Sequence, residues 1–272
     1  MIARYSSVGE YVRKAREVVK HPTREHYSGN GWDLGVSFEQ ACERGLVGDL
    51  DAAARATEAL AKIETSSTRE SYRLRPTLSM AGSRVSVPTY LAGKPNCMVR
   101  RVKTEIATRS VAIYVDTSCS AGIPASSMFQ RGVTILALLS ALQSSGVAIE
   151  LYLVSSLYGR TDGDYYQLIQ VESNPLDLST SAFAIAHPAF SRNVQYDVGR
   201  VLDGFQGSWP QSADRLGGVV SERYIAHMRK TLGMSPSDVY VPAVFVTDEL
   251  INRPEAWLAE RLNQLLGEES AA

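Results

Sequence analysis

Apolar positions recur at helical spacing near the start of the chain. Across residues 8 to 20, Val8, Tyr11, Val12, Ala15, Val18 and Val19 fall on one face, which predicts a short amphipathic helix. "HPTREHYSGNGWDLG" breaks the period with Gly, Pro, Asn and Ser and reads as a loop. In "SFEQACERG", Ser37 with Gln40 three residues later forms a capping-box pattern, and Gly45 is the expected stop. "DLDAAARATEALAKIE" predicts a helix, acidic at its start and with Lys62 near its end.

From residue 111 the period alternates between strand and helix. "VAIYVD" predicts a buried strand, "SSMFQRGVTILALLSALQSSG" a helix and "VAIELYLVSS" a second strand. "YYQLIQVE" follows as a third strand after the turn "GRTDGD". "SAFAIAHPAFSRNVQYDVGRVLDGF" predicts helix interrupted near Pro188, "VPAVFVTDE" a late strand, and "PEAWLAERLNQLLGEE" a terminal helix with Pro254 in its first turn. Strands separated by helices imply an α/β fold, a mostly parallel sheet flanked by helices.

The stretch between these halves has a different texture. Residues 65–109 carry nine cations, Arg69, Arg73, Arg75, Arg84, Lys94, Arg100, Arg101, Lys103 and Arg109, against Glu70 and Glu105. Nine less two is +7, so a chain of net charge −1 carries −8 elsewhere. The pattern reads as a loop-rich, extended basic arm with short strands, and "RVSVPTYLAG" suggests a strand and a turn. The expected organisation is a helical N-terminal region at 1–64, the arm at 65–109, an α/β body at 110–265 and a tail at 266–272.

Composition narrows the functional classes. With 272 residues and 44% hydrophobic content, the chain can bury a substantial core. Three cysteines without a CxxC spacing argue against a disulfide framework and fit a reducing, cytoplasmic setting. The N-terminus has no signal-peptide core, and the most apolar helical stretch, Val133 to Leu142, is shorter than a membrane span. No GxSxG, HExxH or Walker A pattern occurs, and neither His187 nor His227 lies in a nucleophile motif. The expected protein is not an enzyme. "HPAFSRN" reads as a helix break with a satisfied histidine, and Trp209 as a loop anchor before a stacking platform.

The arm has the composition of a single-strand binder. Cations that track phosphates and aromatics that stack on bases hold single-stranded nucleic acid without sequence preference. Arg69, Arg73 and Arg75 surround Tyr72, while Arg84, Lys94, Arg100, Arg101 and Lys103 extend the set. If "MVRRVK" is extended, Arg101 and Lys103 share a face and Arg100 takes the other. Arginine suits the task because its planar fork binds phosphate with two hydrogen bonds and also stacks. The competing reading is a solvated face, or pairing with the acidic remainder of the chain.

The second candidate site is the turn "DTSCS" after the first body strand. Asp116, Ser118 and Ser120 stand at a strand's carboxyl end, where open α/β sheets bind ligands, and Asp248 ends the late strand "VFVTDEL". Carboxylates and hydroxyls make a hard oxygen site suited to Mg²⁺ or Ca²⁺. The same residues are also ordinary helix caps. This DxSxS pattern between strand and helix resembles von Willebrand factor A-like (vWA-like) domains over roughly residues 110 to 265. The resemblance implies a metal-dependent adhesion site at Asp116, Ser118, Ser120 and Asp248. It also implies a threonine from a middle loop, for which Thr161, Thr180 and Ser191 compete.

"VPTYLAGKPNCM" ahead of the DxSxS strand looks like a phage vWA-like pattern. It is similar to the single-stranded-DNA-binding RNA polymerase cofactors of phages with a virion RNA polymerase. That resemblance implies a protein of the host cytoplasm that holds melted promoter DNA and recruits the phage RNA polymerase. The alternative is a metal-dependent protein-interaction module serving an AAA+ ATPase or another complex. A homo-oligomer is compatible with both.

Overall fold

The computed structural model describes residues 2–22, 33–62, 72–105, 109–119, 122–158, 164–173, 176–202, 222–243 and 252–267. In chain order these form strand β1 (Ile2–Tyr5) and helices α1 (Val8–Val18), α2 (Phe38–Val47) and α3 (Leu50–Lys62). The middle region supplies β2 (Tyr72–Ser79), β3 (Arg84–Val85), α4 (Val87–Leu91) and β4 (Met98–Glu105). The body follows with β5 (Arg109–Asp116), α5 (Ala125–Ser144), β6 (Val147–Tyr158), β7 (Asp164–Val171) and α6 (Leu178–Ala186). A π-helical segment, Phe190–Gln195, leads into α7 (Tyr196–Leu202), then α8 (Glu222–Leu232), β8 (Val239–Val241) and α9 (Pro254–Gly267).

The main sheet has five strands in the order β1-β7-β6-β5-β8. All neighbouring pairs are parallel except β6 with β7, which form an antiparallel hairpin. The fold is thus mixed α/β with a mostly parallel sheet flanked by helices. Alternation along the strands decides which helices cover which face. Val111, Ile113 and Val115 of β5, with Ile149, Leu151 and Leu153 of β6, enter the core formed with α1, α5 and α6. The intervening positions of β6 and β7, Val154, Tyr166 and Leu168, pack with Met228 and Leu232 of α8 on the opposite face. Each such fully buried aliphatic side chain contributes about 1.5–3 kcal/mol.

β1 adds a strand ahead of the helices of the N-terminal region. Its four residues are too few to show a period, yet they pair with Tyr166 to Ile169 at the sheet edge. The helices after it share the body's core: Tyr11, Val12, Phe38 and Ala41 lie in the same apolar cluster as Ile113 and Phe183. Local signals set their ends. Ser7 caps α1, its hydroxyl accepting the Glu10 N–H at 3.0 Å. The Ser37/Gln40 capping box forms as expected, at 2.9 and 3.2 Å. Asp49 caps α3 by accepting the Ala52 N–H at 3.0 Å.

Gly45 does not stop α2, which runs on to Val47. A Cβ at Gly45 would lie 2.7 Å from Val12 Cγ2, so this glycine is where α1 and α2 cross closely. The stop falls instead at Gly48, whose φ of +91° lies in the left-handed region.

The apolar helix forms close to its expected bounds. α5 spans 20 residues and has the length and composition of a membrane span, but 78% of its most apolar stretch is buried within the protein. It is a core helix between the sheet and α3, α6 and α9. Among the described residues the late strand pairs Val239 to Val241 with Ile113 to Val115, so it begins two residues before "VPAVFVTDE"; residues 244–249 of that run lie outside the described residues. The helix α8 was not anticipated.

Candidate nucleic-acid interface and the strand-end carboxylate

The basic arm is a sheet of its own. β4 is its central strand, with β2 on one side and β3 on the other, all antiparallel. β2 and β4 pair over their full eight residues, from Tyr72 opposite Glu105 to Ser79 opposite Met98. Pro76 is tolerated because β2 is an edge strand and needs no second ladder. Among the described residues of the arm, about half lie in paired strands, two of which are longer than the short strands expected. "RVSVPTYLAG" is a two-residue strand followed by the short helix α4, which the fixed φ of Pro88 helps to start.

The arm contributes nothing to the apolar clusters of the described residues. Arg84, Lys94 and Arg100 are exposed, and Tyr90 is 63% exposed beside them. No carboxylate occurs between Ser71 and Thr104. Arg100 stands in register opposite Thr77. For Tyr72, Arg73, Arg75, Arg101 and Lys103 the backbone pairing is fixed: Tyr72 with Glu105, Arg73 with Thr104, Leu74 with Lys103, Arg75 with Val102, Pro76 with Arg101. Arg69 lies outside the described residues. The strand register thus places Arg73, Arg75, Arg100, Arg101 and Lys103 on two adjacent strands of one small sheet.

Asp116 ends β5 and is completely buried. Strand alternation turns it to the α8 face. Its Oδ2 accepts the Tyr240 hydroxyl at 2.7 Å and the Tyr224 hydroxyl at 3.3 Å, from β8 and α8. Its Oδ1 accepts the Ser118 N–H at 2.9 Å, the turn-capping bond. Burial and the neighbouring carboxylate push the Tyr240 phenol well above its ordinary value, so it stays a proton donor. The opposite side of the turn is held by Thr117, whose hydroxyl donates to Val154 O at 3.0 Å and to Gln195 Oε1 at 2.7 Å. The buried Arg131 of α5 donates to Asp116 O at 3.2 Å and Pro242 O at 2.5 Å, tying the ends of β5 and β8 together. Arg192 donates to Ile123 O at 2.5 Å.

Both carboxylate oxygens of Asp116 already accept protein hydrogen bonds, one of them from two phenols. Among the described residues, no group of three or more His, Cys, Asp or Glu side chains lies together. The residue following Val241, which pairs with Val115, is Pro242 rather than a carboxylate. Asp116 is thus held by protein donors from the turn, β8 and α8. Ser120, Asp248 and Thr161, the other expected members of the site, lie outside the described residues. Thr180 is engaged at the start of α6, donating to Asp177 Oδ2 at 2.8 Å, and Ser191 donates to Pro188 O at 3.3 Å. The tyrosine partners went unread in the sequence. The alternating "VYV" was the available signal, since it places Tyr240 between two inward valines.

His187 sits at the expected helix break and is 6% exposed. Its Nδ1 accepts the Ala189 N–H at 3.2 Å, and Arg44 lies 3.4 Å from Nε2. Burial, ahead of the charges of Asp49, Arg44, Asp33 and Arg55, lowers its pKa to about 4. An unfolded histidine titrates near 6.5, so between these values the unfolded chain binds the extra proton. Stability is expected to fall as pH drops from about 6.5 to about 4, by up to about 3 kcal/mol from this group. Melting curves of the wild type and of His187→Gln across that window check it: the wild-type loss should exceed the variant's. Trp209 lies outside the described residues.

A family model described as "Domain of unknown function (DUF7192)" matches residues 1–252, running through the N-terminal helices, the arm and β8. No curated protein and no solved structure matches the chain. With the match covering most of its length, the chain belongs to this domain family of unknown function, DUF7192.

Proposed function

We propose that the protein is a non-enzymatic single-stranded DNA-binding protein whose β2-β4-β3 arm carries the strand. The observation behind this reading is the arm's surface. The arm exposes Arg84 and Arg100 on its strands, Tyr90 on the short helix α4 and Lys94 just after it, with no carboxylate between Ser71 and Thr104. Cations and an aromatic in one small antiparallel unit are what phosphates and unstacked bases need. The body is read as vWA-like. Three features support this: "DTSCS" follows a strand flanked by parallel β6 and β8, a long helix comes after the turn, and the antiparallel β7 lies beside β6. In the fuller reading, the arm holds melted promoter DNA while the body offers a docking face for a phage RNA polymerase.

The test is fluorescence anisotropy with a labelled single-stranded oligonucleotide at two salt concentrations, beside the matching duplex. Each phosphate contact contributes about −0.7 to the slope of log K against log salt on a single strand. Replacing Arg100, Arg101 and Lys103 together by alanine is expected to weaken binding at least about tenfold and to flatten that slope by about 2. EDTA should leave binding unchanged. Absence of binding at low salt, or equal binding by the triple variant, rejects the proposal.

A further inference from the structure

The exposed large apolar side chains of the described chain are not scattered. Most lie at the tip of the arm: Leu78, Met80, Val85, Val87, Tyr90 and Leu91, with Met80 and Leu91 about as open as surface residues become, at 78% and 77%. A second pair, Val47 at 72% and Leu50 at 78%, flanks the turn between α2 and α3. The rims of the two patches differ in sign. The tip is bordered by exposed Arg84, Lys94 and Arg100 and has no acidic neighbour in sequence. The corner is bordered by exposed Glu43 and Asp51, with exposed Glu39 and Glu58 further along the same helices. The cations near the corner are engaged: Arg44 pairs with Asp49 at 2.9 Å, and Arg55 lies over the Phe129 ring at 5.0 Å.

Contiguous exposed apolar surface with a polar rim marks an interaction site. Here one patch complements the other, and both are open on the same molecule. We propose that the arm tip of one copy docks on the α2–α3 corner of the next. Leu91, Tyr90 and Met80 cover Val47 and Leu50, while Arg84 and Lys94 face Glu43 and Asp51. The contact is heterologous, so it propagates head to tail and builds an open chain or a closed ring rather than a two-fold dimer. It shares Tyr90, Arg84 and Lys94 with the DNA-binding reading, so the DNA strand and the next copy compete for the tip. The two are tested apart because docking is read without nucleic acid and through Leu91 and Leu50, which the DNA reading does not use.

Sedimentation velocity of the full-length protein without nucleic acid tests it. The wild type is expected to form species that grow with concentration and shrink as salt screens the rims. Leu91→Asp and Leu50→Arg, both at exposed positions, should each weaken association by about tenfold or more while leaving circular dichroism and melting unchanged. An equimolar mixture of the two variants is decisive. Only the arm of Leu50→Arg and the corner of Leu91→Asp remain competent, so the mixture should form a dimer and grow no further. A monomeric wild type at the highest soluble concentration overturns the proposal. So does undiminished self-association of Leu50→Arg, which would mean an arm-to-arm contact, and so does a mixture that stays monomeric.

Discussion

Gly132→Ala is expected to destabilise the protein by about 3 kcal/mol, although alanine is the better helix former by about 1 kcal/mol. Gly132 lies in the interior of α5, where propensity alone favours the exchange. The obstacle is α6. A Cβ at Gly132 would meet Ala186 Cα and Cβ and come within 2.7 Å of Ile185 O. Two of these three atoms are backbone, and the side chain is only a methyl, so no rotamer change relieves the contact. The two helices must separate, and separation opens the packing around Leu136, Phe183 and Leu139, all fully buried. Gly9→Ala in α1 is the matched control. There a new Cβ meets only the flexible end of Arg13, at 3.4 Å, so the exchange should be neutral or stabilise by up to about 1 kcal/mol. Urea titration of both variants reads the contrast, and a Gly132→Ala midpoint equal to wild type would refute the close crossing.

Asp116→Ala carries the second large effect, an expected loss of about 3 kcal/mol. The carboxylate is wholly buried and accepts from Tyr240, Tyr224 and the Ser118 amide. Removing it strands the Tyr240 hydroxyl, itself buried, without its 2.7 Å partner. Tyr240→Phe alone should cost less, about 1–2 kcal/mol, because the remaining donors still satisfy the carboxylate. A double-mutant cycle between the two positions should therefore show strong positive coupling, the double variant losing much less than the sum. The same proteins examine the cation question. Magnesium or calcium should not raise the wild-type melting temperature through Asp116. A rise present in the wild type and absent in Asp116→Asn would show that the phenols yield to an ion.

Parts of this architecture were readable directly. The runs at β5, β6 and β7 showed a strand period, and α5 declared itself by length and apolar content. Capping chemistry announced α2, since Ser37 and Gln40 need only each other. What could not be read was tertiary in origin. Gly45 looks like a stop in one dimension and is a contact point in three. β1 has too few residues for a pattern and exists because β7 offers an edge. α8 carries polar residues around a narrow apolar face, Met228 and Leu232, that only the sheet reveals. The candidate sites divide the same way. The charge of the arm is visible in composition, whereas its folding into three paired strands depends on which segments of the stretch pair with β4. Asp116 was legible as a strand-end residue, but its tyrosine partners lie more than 100 positions away.

The pairing of β1 with β7 has a consequence for how the chain is made. Ile2 to Tyr5 are synthesised some 160 residues ahead of their partners at Tyr166 to Ile169. Until then the apolar stripe of α1 has neither the sheet nor Phe190 to lie against. At ordinary elongation rates of about 5–20 residues per second, that interval lasts roughly ten to thirty seconds. The antiparallel arm, closed by a local ladder, can form well within it. Synthesis thus orders the pairings in time, the basic sheet before the β1–β7 edge and the β8 edge after both.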